Sequence, residues 1–283
     1  MGPMPRARSN GIELEYDTFG DRSAPPLLLI GGLGTQLISW DEGFRQLLAG
    51  RGFYVIRFDN RDAGLSTWIE DGSPYSLEDM AADAVGLLDV LGIRAAHVVG
   101  ASMGGFIAQL MALDHPERVL TLTSLISGPN GKDQVPPTPE AMALLVAQPP
   151  PNREGRIELG LESKRKLLGP GDPFDQEYET AKVARAVDRA YNPAGFVRQL
   201  QAITAARGRL ERLETLQVPS LVVHGDADIL VPVGNGRSVA AAIPGARYIE
   251  IEGMGHDVPR RVWPQVVDAI AELARQSSPT WRA

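Results

Sequence analysis

Short apolar runs alternate with longer stretches of helical periodicity along this chain. Ile12 to Phe19 alternates apolar and polar positions, as a strand at an exposed edge does, and Pro26 to Ile30 is a brief apolar run. Phe53 to Phe58, Ala96 to Val99, Val119 to Ile126, Ser220 to Val223 and Arg247 to Ile251 are further strand candidates, rich in β-branched residues. Between Phe53–Phe58 and Ala96–Val99, Ser76 to Leu91 reads as a helix. Ser76 is its N-cap, Asp79 completes a variant capping box, and Gly92 ends it. Apolar strands separated by helices predict a mainly parallel sheet covered on both faces.

The rhythm breaks between Gly128 and Gln217, where about 90 residues pass without a strand candidate, far more than an ordinary connection needs. Proline concentrates at Val135 to Pro139 and Pro149 to Asn152. Thr138-Pro139 and Asn192-Pro193 each offer an N-cap followed by proline at the first helical position. Because the sheet resumes at Val218, residues 128–217 are expected to be a helical cap inserted into one α/β core made of residues 1–127 and 218–283. Met1 to Asn10 carries Pro and Arg with no apolar stretch behind it. It does not read as a signal peptide, and a loose leader is expected.

Composition narrows the chemistry. The 283 residues are 43% apolar and 22% charged, ordinary for a globular protein. The absence of cysteine excludes a thiolate nucleophile, disulfides and Cys-ligated metal, and fits a reducing compartment, so a cytoplasmic location is expected. Four histidines without an HExxH pattern give no metal motif. A net charge of −7 works against nucleic-acid binding. Its densest basic clusters, Lys164 to Lys166 and Arg207 to Arg212, are expected on solvated helix faces. No apolar stretch approaches the roughly 18 residues of a membrane span.

The most informative segment is Val98-Val99-Gly100-Ala101-Ser102-Met103-Gly104-Gly105: a β-branched run, then Gly-x-Ser-x-Gly, then a sequence that reads as helix. In that setting the motif has mechanical content. A sharp strand-to-helix turn holds the serine in a strained conformation, the flanking glycines let the backbones pass closely, and Oγ is pushed out at the carboxyl end of the strand. Ser102 is the candidate nucleophile. A serine hydroxyl needs a base and the base an orienting carboxylate. After later strands the chain supplies Asp228, in His224-Gly225-Asp226-Ala227-Asp228, and His256, in Gly253-Met254-Gly255-His256. Asp226 competes with Asp228 but is expected to bond its own turn. Of the other histidines, His97 opens a strand, His115 ends a helix, and His224 is expected to bond loop backbone.

Acyl transfer also needs donors for the developing oxyanion. Met103, directly after the nucleophile, offers one backbone N–H. The second is expected from the Gly31-Gly32-Leu33-Gly34 loop after Leu27 to Ile30, with Leu33 preferred and Gly32 the fallback. The cap residues Met142, Leu144, Leu145, Val146, Leu159, Leu167 and Leu168 are expected either to roof the pocket or to pack the cap's own helices.

With these segments in place, the sequence resembles the α/β-hydrolase superfamily along nearly its whole length. Asp59-Asn60-Arg61-Asp62-Ala63-Gly64-Leu65-Ser66 looks like that family's Asp-x-Arg-Gly-x-Gly-x-Ser segment, with Asp62 and Ala63 departing from it. Together with Gly-Gly-Leu-Gly, it looks most like bacterial carboxylesterases related to aclacinomycin methylesterase. Gly31 stands where the family commonly has histidine, which removes one orienting side chain. The resemblance implies a cofactor-free, metal-free serine esterase acting on a small-molecule ester or lactone, with homo-oligomerisation open. The alternatives are a lactonase, including one for acyl-homoserine lactones, a cofactor-free haloperoxidase or perhydrolase, and a non-catalytic small-ligand receptor on the same fold.

Overall fold

The computed structural model of the protein describes residues 4–277. Eight strands form one sheet: β1 (Arg6–Ser9), β2 (Ile12–Phe19), β3 (Pro26–Ile30), β4 (Tyr54–Phe58), β5 (Ala96–Ala101), β6 (Val119–Leu125), β7 (Ser220–Gly225) and β8 (Arg247–Ile251). Their spatial order is β1-β2-β4-β3-β5-β6-β7-β8. The β1–β2 and β2–β4 pairs are antiparallel and all other pairs are parallel. Every strand candidate in the sequence is present, with ends shifted by at most two residues.

The expected loose leader is corrected in part. Arg6–Ser9 pairs with β2 through a two-residue turn, Asn10-Gly11, in which both residues have positive φ (49° and 82°). That is the favoured hairpin geometry, and Asn-Gly is its strongest sequence signal. Ala7 and Ser9 are buried, and Ser9 Oγ donates to the Asp83 carbonyl on the helix behind. Met1, Gly2 and Pro3 lie outside the described residues.

Helices α1 (Glu42–Gly50) and α10 (Trp263–Ser277) cover one face of the sheet. On the other face lie α2 (Leu77–Val90), α3 (Met103–Asp114), and α8 and α9 (Leu210–Leu213, Gly234–Ala242). The Ser76–Asp79 capping box is formed in both directions, and Gly92 takes φ 70° just past the end of α2. Helix α3 buries ten successive residues, Met103 to Ala112, because it is enclosed on all sides.

Between β6 and β7 the described chain has no strand. It forms α4 (Pro139–Leu145), α5 (Arg153–Leu167), α6 (Gln176–Arg189) and α7 (Pro193–Ala205) before α8 returns to the core. Thr138 and Asn192 cap α4 and α7 with proline at the first turn, as the sequence predicts. These helices are tied to the β4 loop. Asp62 has φ 66°, a conformation that favours glycine, and its carboxylate accepts two bonds of 2.8 Å from Arg198 on α7. Asp59, fully buried, accepts from Leu37 N–H at 2.6 Å and from Leu65 N–H at 2.9 Å, and pairs with Arg189 on α6 at 2.8 Å. The departure at residue 62 thus exchanges conformational ease for an anchor on the inserted helices. Two basic residues expected on solvated faces are elsewhere. Arg209 is buried, which lowers its pKa to about 10, and Lys164 turns toward the sheet's carboxyl edge.

Candidate active site

Ser102 sits between β5 and α3 at φ 54° and ψ −120°. Few non-glycine residues tolerate this region. It is held because Ser102 N–H donates to Leu125 O at 3.0 Å, while its own carbonyl accepts from Gly105 N–H at 2.8 Å and from Ser127 Oγ at 2.8 Å. The flanking glycines are required by the close passage of backbones. A Cβ at Gly100 would fall on the Gly104 carbonyl, and one at Gly104 on the Ile30 carbonyl. Gly104→Ala is therefore expected to lower stability by about 1–3 kcal/mol, as overpacking does. Urea unfolding checks this, and an unchanged midpoint would contradict the crowding.

His256 lies on the loop after β8, and its Nε2 accepts from Ser102 Oγ at 2.9 Å. Its Nδ1–H donates to Asp228 Oδ2 at 2.7 Å. The other oxygen of Asp228 accepts from the N–H groups of Leu230 and Val231, at 2.9 and 2.8 Å. Burial opposes ionisation of this carboxylate, but the nearby His256 charge and the hydrogen bonds from His224 and His256 outweigh it. Asp228 is held well below the usual carboxylate range. The structure brings Ser102, His256 and Asp228 into one hydrogen-bonded line.

The competing carboxylate has another task. Asp226 Oδ1 accepts from Gly253 N–H at 2.7 Å, so it bonds the histidine's loop rather than its own turn. His224 does bond loop backbone, its Nε2–H donating to Val231 O at 2.7 Å, and that same nitrogen lies 3.3 Å from Asp228 Oδ2. His97 is structural: buried, 2.9 Å from Thr121 Oγ1, and pushed down to about 4 by burial.

Gly31, Gly32 and Leu33 line a cavity together with Ser102. A Cβ at Gly32 would lie 3.3 Å from that of Ser102, so the loop passes as close as a glycine allows. Among the described residues neither Leu33 N–H nor Met103 N–H is committed to a hydrogen bond. Two residues that sequence reasoning missed steady this loop where the family's histidine is absent. Asn60 Nδ2 donates to Gly31 O at 3.1 Å, and Gln199 Oε1 accepts from Gly34 N–H at 2.7 Å. Asn60 lies in the Asp59 to Ser66 segment that the sequence flags; Gln199 lies on α7 and carries no signal.

The cavity has a volume of about 1050 Å³ and opens over Ser102 and His256. Met142, Leu144, Leu145 and Leu167 of the inserted helices line it, joined by Phe196 and Leu200. Val146, Leu159 and Leu168 do not reach it. Its lining is mostly apolar, with Lys164, Lys182 and Asp257 on the side of the histidine loop.

Comparison with known proteins agrees with this geometry. Residues 25–259 match the family described as alpha/beta hydrolase fold. The chain is 34% identical to rhodomycin D methylesterase DauP of Streptomyces sp. (strain C5), covering 94% of this chain and 96% of that one. It is 33% identical to rhodomycin D methylesterase DnrP of Streptomyces peucetius, over 98% and 99%. Among solved structures, the enol-lactonase from Burkholderia xenovorans LB400 superposes with a TM-score of 0.76 at 26% identity, covering 96% of this chain and 99% of that one. With most of its length matched and the sheet, turn and loops in place, the chain belongs to the alpha/beta hydrolase fold family.

Proposed function

We propose that this protein hydrolyses the ester of a bulky, largely apolar carboxylic acid with a small alcohol, through an acyl-enzyme on Ser102. The chain is an ester-cleaving serine hydrolase. The observation that carries the residue roles is the continuous line from Ser102 Oγ through His256 to Asp228, whose first two members line the cavity. His256 takes the Ser102 proton as Oγ attacks the ester carbonyl, and the N–H groups of Leu33 and Met103 receive the oxyanion. The imidazolium returns its proton to the leaving alkoxide, and a water activated by the same base releases the acid. Asp228 holds the Nδ1–H tautomer and stabilises the imidazolium. Residues 128–217 act as the cap over this pocket, anchored by Arg189 and Arg198. A cavity of about 1050 Å³ lies at the upper end of small-molecule sites, which favours a bulky acid over acetate. The methylesterase relatives favour the small alcohol.

The test is a panel at equal concentration: methyl esters of polycyclic aromatic acids, p-nitrophenyl esters from acetate to decanoate, γ-lactones and acyl-homoserine lactones. The bulky methyl esters are expected to show the highest kcat/KM. A lactone at the head of the ranking would select the lactonase reading instead, which the enol-lactonase likeness favours. Inertness on every ester of the panel would overturn the assignment.

A further inference from the structure

The loop that carries His256 is held from two sides, and one side is the cap. Asp226 Oδ1 fixes Gly253 N–H from the core, as above. From the cap, Leu168 O accepts from Gly255 N–H at 2.9 Å, and Gly171 N–H donates to Gly253 O at 2.9 Å. Glycines stand on both segments at this contact: Gly253 and Gly255 on the histidine loop, Gly169 and Gly171 after α5. A Cβ at Gly255 would strike the Leu167 carbonyl and would lie 2.7 Å from Gly169 N. One at Gly253 would lie 2.7 Å from the Cα of Gly171. Backbone therefore packs directly on backbone between the end of α5 and the histidine loop, with no side chain between them to absorb a shift.

An ion pair closes the same contact. Asp257, next to the base, takes Lys164 Nζ of α5 on Oδ2 at 2.7 Å, and its Oδ1 accepts from its own neighbour Val258 N–H at 2.8 Å. Beyond the loop, Arg261 donates to both oxygens of Asp172, at 3.0 and 2.9 Å, extending the seam along residues just past Gly171.

We propose that Lys164 and the Leu167–Gly171 segment are positioning elements for His256: this edge of the cap is part of the catalytic frame and does not lift from the histidine loop during turnover. The proposal rests on the His256 role given under Proposed function. Its physical basis is that the base works only if Nε2 stays within hydrogen-bond reach of Ser102 Oγ while Nδ1–H stays on Asp228. A displacement of about 1 Å costs on the order of a hundredfold in rate. A partly exposed ion pair contributes little to global stability, so the expected effect is local.

Three variants test it: Lys164→Met, Lys164→Arg, and Gly171→Ala, whose Cβ presses on Gly253 from the cap side at 3.0 Å. On the preferred ester, Lys164→Met and Gly171→Ala are expected to lower kcat by about tenfold to a hundredfold with KM changed by less than about threefold. In Lys164→Met the melting temperature should move by about 2 °C or less. Lys164→Arg, which keeps the charge and a donor, should recover most of the rate. A structural readout runs beside the kinetics: the downfield proton resonance of His256 Nδ1–H bonded to Asp228, which should broaden or vanish in Lys164→Met and persist in Lys164→Arg. Unchanged kcat and an unchanged resonance in both Lys164→Met and Gly171→Ala would overturn the inference. So would an effect confined to KM, which would make Lys164 a substrate contact. If the wild type cleaves no ester yet the resonance still depends on Lys164, the positioning stands and the esterase reading fails.

Discussion

Ser102→Ala is expected to lower kcat on any ester the protein accepts by at least about a thousandfold, with KM little changed. On the proposed mechanism the attacking oxygen is removed, while the cavity, the proposed oxyanion donors and the proposed base remain. The strained turn does not depend on Oγ, since it is held by backbone bonds to Leu125 and Gly105 and by Ser127 Oγ on the Ser102 carbonyl. The variant should therefore fold like the wild type and still bind ester. Residual rate above the uncatalysed reaction is expected from substrate binding and from the Leu33 and Met103 N–H groups proposed to hold the oxyanion. Active-site phosphonate labelling, read by intact mass, gives the complementary result: one adduct on the wild type and none on the variant. Full activity in Ser102→Ala would remove Ser102 from the mechanism.

The second large effect separates two carboxylates only two residues apart. Asp228→Asn is expected to lower kcat by about ten-thousandfold, because an amide at this position can turn its NH₂ toward His256 and favour the tautomer with Nε2–H, which cannot accept the serine proton. Asp226→Asn should cost less than about tenfold, since an amide oxygen still accepts from Gly253 N–H. Comparable losses in the two would refute the assignment of roles. The pH dependence of stability follows with a definite sign. Asp228 has a folded pKa below its unfolded value of about 3.9, so its contribution is fully present above that pH. It is lost as pH falls through the depressed folded value, where the carboxylate finally binds its proton in the native state as well. Wild type and Asp228→Asn should therefore converge in urea stability only as the solution becomes strongly acidic.

These two experiments also mark how far the sequence reaches. Ser102, Asp228 and His256 are legible because each follows a strand candidate and sits in a glycine-bearing turn, and because a serine nucleophile demands the other two. Their chain order fits the same fold. Deciding between Asp226 and Asp228 is harder. Spacing favours Asp228, yet both lie on one short loop, and only the structure shows Oδ1 of Asp226 committed to Gly253. The β1 strand is also legible in principle, since Asn10-Gly11 ahead of an alternating run is a hairpin signal.

What the sequence by itself determines here is local: strands from apolar runs, helix ends from Ser76, Thr138 and Asn192, and the sharp turn at Ser102 from its glycines. Each depends on residues within a few positions of one another, so period and capping suffice to read it. Tertiary structure decides every partnership between the inserted helices and the sheet's loops. Asp62 reaches Arg198, Asp59 reaches Arg189, Gln199 reaches Gly34, and Lys164 reaches Asp257 across 93 residues of chain. A charged residue on an amphipathic helix reads the same whether it faces water or a carboxylate on another element. What distinguishes the two is burial, which exists only once the inserted helices close over the carboxyl edge of the sheet.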